Sequence, residues 1–217
     1  MPFVIAVDGP AASGKGTLAQ GLARLYGLPH LDSGLLYRAV GVAVETSGGD
    51  LGDAAAAEAA ARALGPADLA DPRLRTREAG EAASRVAVYP AVRAALKAFQ
   101  HAFAAQEPGA VIDGRDIGTV ICPNAAAKLF VTARPEVRAE RRWKQLVGQG
   151  ETVSRAEVLD DIRIRDERDS GRAASPLKAA DDAVLLDTSE MTIDEAADAA
   201  RRIIEAARVR QGFTPKG

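Results

Sequence analysis

Near the start of the chain lies the segment Phe3–Thr17, which reads FVIAVDGPAASGKGT. Five apolar residues followed by an aspartate predict a short buried strand, and the glycines after them predict a tight turn into a helix. The spacing of Gly9, Gly14 and Lys15 matches a phosphate-binding P-loop, in which backbone N–H groups and a helix N-terminus face the phosphates of a nucleotide. The alternative is a glycine-rich turn with a surface lysine, which the flanking strand and helix disfavour.

The loop predicts an ATP site with a role for each part. Lys15 is expected to place a cation between the β- and γ-phosphates. Gly16 stands where Ser or Thr usually follows the lysine, and Thr17 comes one position later, an arrangement typical of nucleoside monophosphate kinases. The predicted ATP contacts are Gly9, Pro10, Ala11, Ala12, Ser13, Gly14, Lys15, Gly16 and Thr17.

Strand and helix patterns alternate along the chain. Apolar runs predict strands at Phe3–Val7, Leu28–Leu31, Ala110–Ile112, Lys128–Val131 and Ala183–Leu186. Helices are predicted at Gly16–Tyr26, Ala54–Leu64, Pro90–Gln106 and Ile193–Arg210. The alternation predicts an α/β fold with a five-stranded parallel sheet of the P-loop NTPase type, flanked by helices. Ligands bind such sheets at the carboxyl ends of the strands, where aspartates follow the apolar runs.

Composition disfavours several classes of protein. The chain has 28 basic and 30 acidic residues, so no global field attracts it to nucleic acid or membrane. An aromatic content of 4% also argues against a module that stacks on bases. The one cysteine, Cys122, cannot form an internal disulfide and is interpreted as a small buried residue. We expect a cytoplasmic monomer without a leader or a membrane-spanning segment.

A small-molecule kinase is the P-loop class that remains. A guanine-reading switch needs an Asn-Lys-x-Asp motif, and the only asparagine, Asn124, lies in none. A motor ATPase is normally longer than 217 residues. A kinase needs a second anion site, and two segments supply arginines, aspartates and helix-starting turns for it: Leu31–Arg38, LDSGLLYR, and Val111–Thr119, VIDGRDIGT.

Five motifs in a fixed order carry a more specific resemblance. They are GPAASGKGT at 9–17, LDSGLLYR at 31–38, RTREAGEAASRVAVYPAVR at 75–93, VIDGRDIGTV at 111–120 and RIRDERDSGR at 163–172. Over essentially its whole length the chain resembles the bacterial cytidylate kinases, a nucleoside monophosphate kinase family. The resemblance implies transfer of the γ-phosphoryl group of MgATP to CMP or dCMP. The alternatives are a small P-loop kinase for UMP, AMP or a metabolite, and a non-catalytic nucleotide-binding regulator.

The resemblance implies an arginine cluster around the phosphate of the acceptor. The matching residues are Arg38, Arg115 and Arg172. A guanidinium offers a bidentate fork and keeps its proton, which suits a phosphate. The predicted catalytic residues are the cations expected near the transferred group, Lys15, Arg115, Arg165 and Arg172.

The base and the sugar of CMP have their own expected contacts. The residues that match the cytosine-reading set are Ser84, Arg93 and Asp116. A carboxylate accepts from the cytosine amino group and repels the carbonyl that uracil presents instead. The residues that match the sugar contacts are Arg165 and Asp169. The remaining members of the predicted CMP set are Ser33, Tyr37 and Asp113.

Several of these residues have plain structural alternatives. Arg165, Asp169 and Arg172 stand at i, i+4 and i+7, a pattern that also describes a surface salt-bridge ladder on one helix face. Taken alone, Ser84 is a small helix residue and Arg93 an exposed helix charge. A further group, Arg138, Arg141 and Arg142, either supplies one or two ATP contacts or forms a solvated face.

Mg²⁺ is expected on the phosphates of ATP and on water rather than directly on protein side chains. The residues expected nearby are Thr17, Asp32 and Asp113. For Asp113 a turn cap is an equal alternative. Structural roles are expected for His30 and His101, and Trp143 is expected to pack against the lid helix.

The predicted organisation is a single kinase domain over residues 1–217. Its core comprises 1–33, 107–133 and 173–217, with an acceptor-binding insertion at 34–106 and a lid at 134–172. Both insertions are expected to close over the substrates, because an open site would hydrolyse ATP. Many cytidylate kinases carry a longer segment with a small antiparallel sheet between the equivalents of Gly48 and Arg75, where this chain is short and Ala-rich.

Overall fold

The computed structural model describes residues 2–212, which contain five strands and eight α-helices. The strands are β1 (Phe3–Asp8), β2 (His30–Asp32), β3 (Gly109–Gly114), β4 (Ala127–Thr132) and β5 (Val184–Asp187). The helices are α1 (Lys15–Tyr26), α2 (Ser33–Thr46), α3 (Ala54–Ala63), α4 (Arg77–Val86), α5 (Pro90–Ala104), α6 (Pro135–Gly148), α7 (Arg155–Ser170) and α8 (Ile193–Arg210). None of the described helices is long and apolar enough to cross a membrane.

The strands form one parallel sheet in the order β2-β3-β1-β4-β5, which confirms the predicted fold class. β1 is central, and its Ile5 lies opposite Val111 of β3 and Ala127 of β4. Every residue of β1 and of β3 is buried. Buried central strands explain why the sequence shows continuous apolar runs rather than alternation.

The predicted strand at Leu28–Leu31 begins two residues late, at His30. Pro29 has no N–H to give to a ladder, although its carbonyl accepts from the Val111 N–H at 2.9 Å. At the other end, the strand extends to include Asp32. Asp8 and Asp187 likewise end their strands, so the aspartates mark the carboxyl edge of the sheet as predicted.

Among the described residues, 2–31 and 103–212 form one compact unit around the sheet. Alternate residues of β1 serve its two faces. Phe3, Ile5 and Val7 pack in a cluster with residues of α1 and α8, whereas Val4 and Ala6 pack with residues of β3 and of the turn that follows it. Thus the first helix after the phosphate loop is held by the sheet core.

The arginine-rich part of this unit contains α6 and α7, which pack through a small apolar cluster of their own. Its buried members are Ala139, Leu146, Val158 and Ile162. Trp143 packs against this cluster as predicted, and its Nε1–H donates to the Val153 carbonyl at 2.9 Å.

Residues 32–102 form a second compact unit. Its core is formed by residues of α2, α3, α4 and α5. Where α2 meets α4, an ideal Cβ on Gly41 would be only 2.6 Å from the Cβ of Ala82. Glycine at this position therefore permits the close approach of the two helices. Residues 48–75 contain α3 and two short 3₁₀ helices, Pro66–Ala70 and Pro72–Arg75, with no strand among the described residues.

Cys122 is half-buried and packs against the apolar cluster beneath β3. Burial, helped by the nearby charge of Asp8, raises the pKa of its thiol to about 11. A reactive cysteine needs a lowered pKa, so the interpretation of Cys122 as a packing residue fits its surroundings.

Candidate active site

The phosphate loop connects β1 to α1, and its backbone explains its glycines. Gly9 has φ of +154°, and a Cβ there would be 2.0 Å from the Val131 carbonyl oxygen. Gly14 has φ of +89° and caps the N-terminus of α1. Both conformations favour glycine. The backbone turn that directs the loop's N–H groups therefore requires glycine at these two positions of the motif.

The loop also holds a buried polar atom with no protein partner. Ser13 is fully buried, and its Oγ has no hydrogen-bond partner among residues 2–212. An unsatisfied buried hydroxyl is costly unless a ligand completes it. Lys15 is the first residue of α1, with Nζ 3.4 Å from the Pro10 carbonyl. Together with the positive end of α1, these groups fit the phosphates of a nucleotide.

Arg138 has a structural role beside this loop. Its side chain is buried and forms two hydrogen bonds to the Asp166 carboxylate, at 3.0 and 2.6 Å. It also donates to the carbonyls of Ala133 at 2.8 Å and of Ala11 at 3.3 Å. The expectation of a solvated face is therefore wrong for Arg138, which ties α7 to the phosphate loop.

Arg141 lies closer to the turn at Gly14. Its Nη1 is 2.9 Å from Thr188 Oγ1 and 3.4 Å from the Ser13 carbonyl, and an ideal Cβ on Gly14 would be 3.9 Å from it. Arg142, the next residue, donates to Gln145 Oε1 at 2.9 Å instead. Of the three lid arginines, Arg141 is thus the best placed for a nucleotide in the loop.

Three arginines surround a buried carboxylate at the end of α7. Asp169 Oδ2 accepts from Arg115 Nε at 2.9 Å and lies 3.9 Å from Arg165 Nε, and Asp169 Oδ1 accepts from Arg172. The side chains of Asp169 and Arg172 are 1% and 5% exposed. The surface-ladder alternative is therefore wrong for this pair. α7 ends at Ser170, so Arg172 lies beyond the helix rather than on its face.

The electrostatics of Asp169 reflect this cluster. Burial alone raises the pKa of a carboxyl group, but Arg115, Arg172 and Arg165 outweigh it and hold the pKa of Asp169 below its usual value. The carboxylate therefore stays ionised and keeps three guanidinium groups together.

Asp113, at the end of β3, lies beside the first turn of α1. It is buried, and its Oδ1 is 2.8 Å from His30 Nε2. An ideal Cβ on Gly16 would be 3.8 Å from Asp113 Oδ2. This brings a carboxylate to the residue that replaces the usual Ser or Thr of the loop. The partnership of His30 and Asp113 gave no local signal, because 83 residues separate them.

Asp8 is a buried carboxylate that the sequence singled out only as a strand end. Its Oδ1 accepts from the Ile117 N–H at 2.8 Å and its Oδ2 from the Gly118 N–H at 2.7 Å. Burial raises the pKa of Asp8 to about 6, although the two hydrogen bonds act in the opposite direction. The neighbouring Asp116 is also buried, at 5% exposure.

The second unit contains the other predicted acceptor residues. Arg93 is 9% exposed and lies 5.5 Å from the centroid of the Tyr37 ring, so it is not an exposed helix charge. Arg38 donates to the Leu74 carbonyl at 2.7 Å. Ser84 is buried, and its Oγ has no partner among the residues described. That orphaned hydroxyl distinguishes Ser84 from an ordinary small helix residue.

Asp32 and Ser33 lie where β2 meets α2. Asp32 caps the helix by accepting from the Gly34 N–H at 2.9 Å, and Ser33 is buried. Within the described part of the chain, no group of three or more His, Cys, Asp or Glu side chains could hold a metal ion. Placement of Mg²⁺ on ATP phosphates and water stays a prediction.

A family model described as cytidylate kinase matches residues 5–206 of the chain. This protein belongs to the cytidylate kinase family. The cytidylate kinase of Caulobacter sp. (strain K31) is 67% identical over 217 residues, with full coverage of both chains. That of Caulobacter vibrioides (strain NA1000 / CB15N) is 69% identical over 97% of this chain and 99% of the relative. The resemblance inferred from five motifs is confirmed, and it places the chain among the nucleoside monophosphate kinases.

The fold has a more distant likeness as well. The crystal structure of an uncharacterized protein from Eubacterium ventriosum ATCC 27560 matches with a TM-score of 0.52. It is 15% identical in sequence, and the match covers 94% of this chain and 98% of that one. This likeness shows that the other protein has a similar fold despite its low sequence identity.

Proposed function

We propose that this chain transfers the γ-phosphoryl group of MgATP directly to a phosphate oxygen of CMP or dCMP, giving ADP and CDP or dCDP. The observation that carries the proposal is the cluster of Arg115, Arg165 and Arg172 on buried Asp169, in the same compact unit as the phosphate loop. A donor loop and a separate group of preorganised cations are what transfer between two polyanions requires.

The donor phosphates are assigned to the loop Gly9–Thr17. The N-terminus of α1 and Lys15 supply positive charge, and the orphaned Ser13 hydroxyl supplies a donor. Mg²⁺ bound to ATP neutralises charge on the phosphates. Asp113, next to Gly16, and Thr17 are the residues assigned to its water shell.

The acceptor phosphate is assigned to Arg115 and Arg172, whose side chains are 15% and 5% exposed. Asp169 orients both guanidinium groups before the acceptor arrives, so less conformational entropy is lost on binding. A phosphate monoester has its second pKa near about 6, so the nucleophilic oxygen is already anionic at neutral pH. No general base and no covalent intermediate are needed. The chain's own contribution is positioning and charge neutralisation.

The base contacts are assigned to the residues that match the cytosine-reading set. Ser84 offers a buried hydroxyl and Arg93 a guanidinium held near Tyr37. Asp116 supplies the carboxylate expected to accept from the cytosine amino group. Arg38 is assigned to the phosphate of the acceptor. Arg165 and Asp169 are assigned to its sugar, and Ser33 and Tyr37 to the wall of the site.

The organisation proposed for the domain follows the same assignment. Residues 34–106 act as the acceptor-binding insertion and residues 134–172 as a lid, with the remainder as the core. Exclusion of water on closure then prevents hydrolysis of ATP. A cytoplasmic monomer remains the expected form.

Replacement of Lys15 tests the proposal. Lys15→Ala should lower kcat for ADP formation with CMP by at least about a hundredfold, because a cation on the transferring phosphoryl group is lost. Lys144→Ala, which removes an exposed lysine of α6 that pairs with Glu140, is the control and should retain activity. Near-normal turnover by Lys15→Ala would contradict the proposal.

A further inference from the structure

Asp8 is the last residue of β1 and has no part in the phosphoryl transfer described above. It is 4% exposed, and each of its carboxylate oxygens accepts a backbone N–H, from Ile117 and from Gly118. These two N–H groups directly follow Arg115 and Asp116 in sequence. A single carboxylate thus holds the backbone that carries an acceptor arginine and the predicted cytosine-reading aspartate.

The segment that Asp8 holds has an unusual backbone. Residues Ile117–Ile121 form a π-helical turn, a rare conformation that is concentrated at functional sites. Asp116 precedes this turn, but its side chain does not cap it. The N–H groups at the start of the turn are satisfied by Asp8, 109 and 110 residues away. Asp8 of β1 therefore fills the capping role at this turn, rather than Asp116.

The turn is also in close contact with Lys128 of β4. A Cβ on Gly118 would lie 3.3 Å from Asp8 Oδ2 and 3.2 Å from Cδ of Lys128. Lys128 is itself anchored, since its Nζ donates to the Pro123 carbonyl at 2.5 Å and to Asp182 Oδ1 at 2.7 Å. The backbone at Gly118 therefore packs tightly against both the Asp8 carboxylate and the anchored side chain of Lys128.

The charge on Asp8 comes at an energetic cost. Its pKa is raised mainly by burial and also by the charge of Asp116. An asparagine would remove that cost, but it offers one acceptor oxygen and would set an NH₂ group against an N–H donor. Asp8 can accept both hydrogen bonds, whereas asparagine can accept only one of them. This difference explains why a carboxylate is buried here beside Asp116.

We infer that Asp8 is a positioning residue that fixes Asp116 and Arg115 for the acceptor and thereby sets the discrimination between CMP and UMP. Because Gly9 follows Asp8 directly, the acceptor turn is held at the strand end from which the donor loop begins. The inference rests on the proposed function, in which Asp116 reads the cytosine amino group. It goes further by assigning selectivity to a residue that contacts neither substrate.

The test is Asp8→Asn, assayed with CMP and with UMP. Loss of a hydrogen bond to a charged group corresponds to about a tenfold to hundredfold change, so the ratio of kcat/KM for CMP to that for UMP should fall by at least about tenfold. The KM for ATP should stay within about twofold, because the phosphate loop keeps its own contacts. Asp187→Asn, at the end of β5, is the matched control, since its Oδ1 also accepts a backbone N–H, from Ser189. It should leave the ratio unchanged.

A second variant covers the case in which Asp8→Asn does not fold. Gly118→Ala places a Cβ against Asp8 and Lys128 in the same turn, so it should also lower the ratio of kcat/KM for CMP to that for UMP. Ile117→Val is the mild packing control. A folded Asp8→Asn or Gly118→Ala enzyme that keeps the wild-type ratio, or that loses CMP and UMP activity equally, would overturn the inference. A wild-type enzyme that prefers UMP would instead refute the proposed function.

Discussion

The Arg115 guanidinium donates from Nε to Oδ2 of Asp169 at 2.9 Å, across 54 residues of sequence. It joins the turn after β3 to the end of α7, and it places a cation and its counter-ion in a buried setting. A buried pair is strongly destabilised when one partner is removed, because the other charge is left unpaired. The cluster therefore ties acceptor binding to the stability of this part of the molecule.

Asp169→Asn should raise the KM for CMP by at least about tenfold, because Arg115 and Arg172 lose the carboxylate that orients them. The KM for ATP should change far less. Asp160→Asn, at an exposed position of the same helix, is the matched control and should behave as wild type. Steady-state kinetics with each substrate varied in turn would check this, and an equal rise in both KM values would argue against the assignment.

The same carboxylate predicts a pH dependence of folding. The pKa of Asp169 is lower in the folded protein than its ordinary value of 3.8, so its ion pairs stabilise the fold above that pH and are lost as the pH falls through the folded-state pKa. The stability difference between wild type and Asp169→Asn should therefore be largest at neutral pH and shrink below pH ~4. Urea unfolding at several pH values would measure it.

Asp8 predicts a slope of the opposite sign. Its pKa is 3.8 in the unfolded reference and about 6 in the folded protein. Between these values the folded state binds the proton and the unfolded state does not, so this group makes stability fall as pH rises, by at most about 3 kcal/mol. Asp8→Asn should remove this component. Equal slopes for the two proteins between pH 4 and 6.5 would mean that Asp8 titrates normally.

Ser84→Ala separates a ligand contact from a packing role. The buried Oγ of Ser84 has no partner among the described residues, so its removal should cost no stability and can raise the melting temperature. If the hydroxyl bonds to cytosine, kcat/KM for CMP should nevertheless fall by about threefold to tenfold. Lower stability with unchanged kcat/KM would show that the hydroxyl serves the fold instead.

Arg141 and Arg142 form a natural pair for testing donor binding. Arg141→Ala should raise the KM for ATP by about tenfold, since its guanidinium lies beside Ser13 and Gly14, whereas Arg142→Ala should have a small effect. The KM for CMP should be nearly unchanged in both. A larger effect on ATP from Arg142→Ala would reverse the assignment.

The fold was predictable because its signals are local. The run from Phe3 to Asp8 and the loop to Thr17 encode strand, turn and helix within neighbouring residues. The glycines at 9 and 14 occupy positive-φ positions that their spacing anticipates. The start of β2 at His30 was not predicted, because the effect of Pro29 depends on which strand lies beside it in the sheet.

The contacts within the site were not predictable in the same way. Asp8 meets Gly118, and His30 meets Asp113, only after the parallel sheet brings their strand ends together. Arg138, Arg141 and Arg142 all lie in the same arginine-rich helix, and the sequence does not distinguish their roles. Arg138 pairs with Asp166 only because α6 packs against α7. The density of arginines in the sequence predicted an anion-binding role for some of them. Tertiary packing decides which arginines form structural ion pairs with other residues of the protein instead.

The central claim is the identity of the acceptor, and the most direct measurement is ADP formation from MgATP with CMP, dCMP, UMP and AMP under matched conditions. The account predicts the highest kcat/KM for CMP or dCMP, with UMP and AMP lower by at least about tenfold. Uracil presents a carbonyl where cytosine presents its amino group to Asp116, and adenine is a larger base of different shape. A higher kcat/KM for UMP or AMP than for both CMP and dCMP would contradict it.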